Sequence, residues 1–204
     1  MMRILLLLPL AALGGCISLL PEPPPPPRIF ALEAGEVARA QGAPIDAVVS
    51  VAAPTGERAI LGGDLVWRTG DEIAFVSQTQ WSNRADAALQ SMLVETFTRQ
   101  GRVAAAAPAG EARARYEIRW EVLDFEIHEA VMQARFVADV RVLRMPGRRV
   151  IAQEIVSAEA PVADRSASLA SQALARAARE GSARIALFAA DAAAAAEAET
   201  AVED

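Results

Sequence analysis

The chain contains one cysteine, Cys16, and its neighbours decide what its thiol can do. Leu13-Gly14-Gly15-Cys16 places a branched apolar residue and two small residues directly before and up to it, the pattern of a lipobox. Small residues let a signal peptidase press the backbone into its site, and the thiol is the nucleophile that takes a diacylglycerol. Upstream, Arg3 supplies a short positive region, and Ile4–Leu13 is an apolar run interrupted only by Pro9. A run of about ten apolar residues is too short to span a bilayer core of roughly 30 Å as a helix, and fits the apolar region of a signal peptide. Residues 1–15 are therefore expected to be removed. Cys16 is expected to carry three acyl chains, a much firmer anchor than one. An incidental thiol is the plainer alternative, but a lone cysteine here, with none in the following domain, argues against it. Ile17, not Asp, follows the cysteine, so the inner-membrane retention signal of enteric-type bacteria is missing. The expected address is the periplasmic face of the outer membrane.

Other residues with chemical potential are less organised. His128 is the single histidine, between Glu126 and Glu129. A surface histidine is the simpler reading, since a histidine-based triad needs a nucleophile and an orienting group that no spacing here supplies. Glu117, Glu121, Asp124, Glu126 and Glu129 can be drawn as a carboxylate cluster, but read more simply as a solvated strand edge with Arg113, Arg115 and Arg119 as neighbours. Gly62-Gly63-Asp64 is too short for a phosphate loop and lacks the following lysine. Trp67, Trp81 and Trp120 read as packing residues, with a lipid- or protein-facing role as the alternative. The expectation is no catalytic residue, no metal, and no cofactor beyond the covalent lipid on Cys16.

These residues need a scaffold, and the length allows one. Removing residues 1–15 leaves roughly 190 residues, enough for one domain. Hydrophobic residues make up 53%, sufficient for a core, although much of this is alanine. The net charge is -6, which excludes the electrostatic footprint of a nucleic-acid-binding protein. Without a second cysteine no intramolecular disulfide forms. Residues 16–27 combine the lipidated cysteine with a proline run from Pro23 to Pro27. In polyproline II conformation, at about 3.1 Å per residue, this spacer holds the domain roughly 20 Å from the lipid.

The domain is expected over residues 28–190. Arg28–Glu33 reads as a short strand, Gly35–Pro44 as a loop, and Asp46–Ala52 as a buried strand. Leu65–Val76 reads as a hairpin whose three-residue loop is Thr69-Gly70-Asp71. Ser82 or Asn83 can cap a helix to Gln100, with Leu89, Met92, Leu93 and Phe97 on one face and Gly101 as its stop. Val103–Ala107 follows as a short strand. Tyr116, Ile118, Trp120 and Val122 alternate; then Leu123, Phe125 and Ile127 take over, a slip of phase that marks a β-bulge or burial of both faces. Ala130–Val142 alternates again, and Pro146-Gly147 turns into a further strand over Val150–Ala158. A last helix runs from Asp164 to about Ala190. Residues 191–204, alanine and acid almost throughout, are expected to fray because they have nothing to bury. The whole is an α+β two-layer sandwich: a mostly antiparallel sheet with two main helices packed on one face.

This layout resembles the ABC-type transport auxiliary lipoproteins, the PqiC/YmbA type. The resemblance rests on Cys16, Ile29-Phe30-Ala31-Leu32, the Val48–Val51 strand leading to Pro54, and Trp81 opening the helix that carries Leu89, Leu93 and Phe97. It continues through Tyr116-Glu117-Ile118, Leu123-Asp124-Phe125-Glu126, Val137–Leu143 and the closing helix Ala170–Phe188. The long proline run and the acidic tail depart from the family pattern. The resemblance implies a non-enzymatic subunit of an MCE-type lipid-trafficking system. Its partners would be a periplasmic MCE-domain protein and an ABC permease, with the outer membrane held through the anchor. Homo-oligomeric rings are also implied. An outer-membrane assembly or lipid-binding lipoprotein, partnering a β-barrel, is the alternative.

Overall fold

A computed structural model describes residues 24–203. Its organising element is strand β7, Tyr116–His128. One edge of β7 is taken by antiparallel β8 (Gln133–Arg144), which in turn pairs antiparallel with β9 (Arg149–Pro161). The other edge is shared by three parallel strands in succession. β2 (Ile45–Val51) meets Tyr116–Ile118, β3 (Thr55–Gly56) meets Glu121 and Val122, and β4 (Asp64–Thr69) meets Ile127 and His128. Beyond β4 come antiparallel β5 (Glu72–Trp81) and then β1 (Arg28–Phe30), parallel to β5. β6 (Val103–Pro108) runs parallel to β2 on its far side. The nine strands form one sheet. The longest ladders are antiparallel, as expected; the parallel pairs all lie in or against the N-terminal half.

The slip of phase in β7 is a bulge. Val122 pairs with Ala138 and Asp124 with Val137, so Leu123 has no counterpart and is exposed. One extra residue returns Phe125 and Ile127 to the buried face after Tyr116, Ile118, Trp120 and Val122. On that face the Trp81 and Phe125 rings stack at 6.1 Å, while the Phe125 and Phe136 rings meet edge to face at 6.3 Å. Trp120 lies 6.4 Å from Phe136 and donates its indole N–H to the Ala52 carbonyl at 2.9 Å.

Both helices cover this face. Helix α1, Ala85–Gln100, packs on β2, β6 and the second helix through Leu89, Met92, Leu93 and Phe97. It starts later than Ser82 or Asn83, and no side chain caps it. Instead the Gly62 and Leu61 carbonyls accept the N–H groups of Ala85 and Asp86, satisfying donors a cap would have served. Gly101 ends the helix at φ 70°, with its N–H bonded to the Phe97 carbonyl, as the sequence indicates. Trp81 ends β5 rather than opening the helix, and the β4–β5 loop is two residues, Gly70-Asp71, because Thr69 and Glu72 pair. The first strand is also shorter than expected, stopping at Phe30.

Helix α2, Ala167–Glu203, differs most from expectation. Asp164 lies ahead of it. Its Oδ1 accepts the Ser166 N–H at 2.7 Å, and Ser166 Oγ accepts the Leu169 N–H at 3.4 Å. At the other end, residues 191–203 do not fray: they continue the helix. Ala193 and Ala196 are buried, and Glu197 Oε1 accepts the Tyr116 hydroxyl at 2.6 Å. The tail does bury something, because methyl-sized side chains let a helix lie flat on a sheet. Ala170, Ala173, Ala177, Ala186, Ala190 and Ala193 are all fully buried along this line. Gly181 brings the helix backbone close against the Phe136 ring.

Candidate functional site

Cys16, the residue the sequence singles out, lies outside the described residues, as do Leu13–Gly15 and Ile17. The described domain offers three places where function can reside: a polar cluster on the sheet face away from the helices, a groove beside α2, and an open sheet edge.

The cluster follows from the bulge. With Phe125 and Ile127 turned to the helices, Asp124, Glu126 and His128 share the opposite face at alternate positions. His128 Nε2 sits 2.8 Å from Asp124 Oδ2 and 3.7 Å from Glu126 Oε1. Arg68, opposite His128 on β4, donates from Nε to Glu126 Oε1. Glu126 is only 3% exposed, and its Oε2, like Asp124 Oδ1, has no hydrogen-bond partner among the described residues. Burial pushes the Asp124 carboxyl up, against the opposing pull of His128. These groups are one nitrogen and two carboxylates that can hold a cation or share a proton. The reading of a solvated edge with a surface histidine is thus corrected: Glu126 and Glu117 are buried, and His128 is half-buried against Asp124. Of the arginines expected beside the acids, Arg119 does pair with Glu117 at 2.6 Å, whereas Arg115 turns to Glu197 at 2.7 Å. What covers Glu126 is Arg68, 58 positions upstream, which no local pattern reveals.

The groove lies between the loop after β1 and α2. Its volume is about 790 Å³, lined by Ala34, Val37, Ala183 and Leu187, with Arg39 and Arg179 at the rim. Arg179 Nε donates to the Glu33 carbonyl at 2.8 Å, fixing the loop to the helix. The loop is held a second time by Arg102. Its buried guanidinium donates to the Gln41 carbonyl at 2.8 Å, the Ala43 carbonyl at 3.2 Å and Asp191 Oδ1 at 3.0 Å. One open edge is that of β9, which pairs only with β8 among the described residues, as β6 does with β2 and β1 with β5 elsewhere in the sheet. Val150 and Ile155 are exposed on it, 50% and 64% respectively, an unusual display for a strand with free backbone donors.

The tryptophans divide. Trp81 and Trp120 are buried; Trp67 is partly buried against the core. Gly62-Gly63 serves α1 and β5 through its carbonyls, Gly62 to Ala85 and Gly63 to Trp81. No helix of the described residues is long and apolar enough to cross a membrane.

Comparison with known proteins bears on the whole arrangement. The crystal structure of protein XCC0632 from Xanthomonas campestris, assigned to the DUF330 family model, superposes with a TM-score of 0.78 at 20% identity, covering 83% of this chain and 98% of that one. The crystal structure of an uncharacterized protein follows at a TM-score of 0.63 and 12% identity, covering 79% and 98%. These similarities establish the fold. None of the curated proteins matches the chain. A family model described as the ABC-type transport auxiliary lipoprotein component matches residues 30–186. That span runs from the last residue of β1 to about half-way along α2 and takes in β2 to β9 whole, so the chain belongs to the ABC-type transport auxiliary lipoprotein family.

Proposed function

We propose that this protein is a non-catalytic docking subunit of an MCE-type ABC transport system, tethered by a lipid on Cys16 to the periplasmic face of the outer membrane. In this role it receives a periplasmic MCE-domain protein, whose permease lies in the inner membrane, and so supports phospholipid movement between the two membranes. The family match over residues 30–186 carries the reading. The Leu13–Cys16 pattern, Ile17 and the proline spacer supply the anchor and the address in the same reading. The open β9 edge gives a surface for a protein partner, or for further copies of this chain in a ring.

A lipid-binding role, with a β-barrel as partner, is the second reading. The specific observation in its favour is the groove beside α2, with an apolar lining and arginines at the rim. One experiment separates the two: a tagged pull-down from detergent-solubilised envelopes after mild crosslinking, read by mass spectrometry. Recovery of an MCE-domain protein with its permease supports docking. Recovery of a β-barrel protein, or of this chain alone, overturns it. In the same envelopes Cys16→Ser is expected to move the protein from the membrane to the soluble fraction.

A further inference from the structure

The geometry points to a binding site for a divalent transition-metal ion of the zinc class at Asp124, Glu126 and His128. It is independent of the docking role. Three ligand-type side chains stand at alternate positions of one strand, on one face, with their donor atoms all within 4.8 Å of one another. The separations of 2.8 Å from His128 Nε2 to Asp124 Oδ2, now a hydrogen bond that an ion would replace, and of 3.7 Å to Glu126 Oε1 are of the size of the edges of a coordination polyhedron. An ion at about 2.0–2.2 Å from its nitrogen and oxygen ligands sets those edges at roughly 3–3.5 Å.

A second observation points the same way. Glu126 is 3% exposed, yet among the described residues its Oε2 has no hydrogen-bond partner, and Asp124 Oδ1 has none either. Buried carboxylate oxygens are ordinarily bonded, and each exception calls for an explanation. Arg68 accounts for one oxygen of Glu126 only: its Nε donates to Oε1, which fixes the carboxylate and leaves Oε2 available. A charged group hydrogen-bonded to a ligating carboxylate is a common outer partner in metal sites. The neighbouring Arg135 is engaged by Glu159 at 2.9 Å, so among the described residues Arg68 is the guanidinium bonded to the site carboxylates. One imidazole with two carboxylates suits zinc, cobalt or manganese better than copper(I), which wants sulfur, or calcium, which wants six to eight oxygens. The His128 side chain is 22% exposed against 14% for Asp124 and 5% for Glu126, so an entering ion meets the imidazole first.

The test uses the full-length chain in detergent, without a histidine tag, stripped with a chelator and titrated with Co²⁺ and then Zn²⁺. Because His128 is the only histidine, its imidazole resonances are identified without mutagenesis. The expected result is one saturable Co²⁺ per chain, broadening of the His128 resonances, and their recovery as Zn²⁺ displaces cobalt. His128→Gln and Asp124→Asn should each weaken binding at least about 10-fold. Absence of saturable binding, saturable binding that leaves the His128 resonances unchanged, or equal affinity in both variants overturns the site. Where a variant fails to fold, the resonances of the unaltered chain decide. No partner protein enters the assay, so its failure leaves the docking reading untouched.

Discussion

Replacing Gly181 with alanine sets two effects of known size against each other. Glycine inside a helix costs about 1 kcal/mol relative to alanine, so at an open helical position the change stabilises by that amount. Gly181 is not open. A Cβ there would lie 2.2 Å from Phe136 Cδ1 and 2.5 Å from Cε1. Ordinary carbon contacts are about 3.5–4.0 Å, so ring or helix must retreat by more than about 1 Å. The ring has little room to do so. Phe136 is fully buried, with Phe125 at 6.3 Å and Trp120 at 6.4 Å between ring centroids. Overpacking of this kind costs about 1–3 kcal/mol, and the short contact puts this site near the upper end. Subtracting the propensity gain leaves Gly181→Ala less stable by about 2 kcal/mol, a Tm lower by about 4–8 °C for a chain of this size. Urea unfolding followed by tryptophan fluorescence measures it. Phe136→Leu in the same background should recover part of the loss, giving a coupling of about 1 kcal/mol or more in a double-mutant cycle. A raised Tm for Gly181→Ala, or strictly additive effects of the two changes, would refute the close packing of α2 on β8.

Removal of residues 191–204 is expected to destabilise the domain by about 3 kcal/mol, from two buried methyls and the bonds of Glu197; a frayed tail would give no change in the urea midpoint. The same contact predicts a pH profile. The Tyr116 hydroxyl, then Arg115, hold the Glu197 carboxyl below its usual value, so its contribution is present above that ordinary value and is lost as pH falls through the depressed one. Burial, then Glu197, pushes Tyr116 up to about 12 from an ordinary value of 10, so its contribution is intact below pH 10 and lost as pH rises towards 12. Unfolding midpoints of the unaltered chain should therefore fall relative to Glu197→Gln in acid and relative to Tyr116→Phe in base, and flat differences would contradict both bonds. Arg102→Met should cost about 2–3 kcal/mol by freeing the loop at Gln41–Ala43, whereas Asp191→Asn, at the exposed end of the same ion pair, should cost under about 0.5 kcal/mol in the same assay.

What could be read from the chain was local. The bulge at Leu123 showed because a strand has a period of two and one added residue flips every side chain after it. Gly101 showed because a left-handed residue ends helices in a recognisable way. Alanine carries no such signal: the same run suits a solvated tail or a helix lying flat on a sheet, and only Tyr116 and Phe136 across the interface decide between them. The three parallel strands along β7 were equally hidden, since register between distant segments leaves no periodic mark. The candidate cation site failed for a related reason. Asp124, Glu126 and His128 were visible, but Arg68, which turns an edge of acids into a covered pocket, comes from β4. Cys16 was legible as a motif alone.

The order of pairing along β7 also constrains how the protein is made. β2, β3 and β4 leave the ribosome well before β7, yet each depends on it for an edge partner. Until residue 128 has emerged, the nascent N-terminal half can make only separate pairings, the β4–β5 hairpin with β1 and, once residue 108 is out, β2 with β6. A hairpin alone is marginal in water. These pieces are joined only when β7 arrives, and folding is a closing of long loops onto one central line, intrinsically slow. A chain with this connectivity is well suited to being moved in an unfolded state and poorly suited to being cut into independent halves.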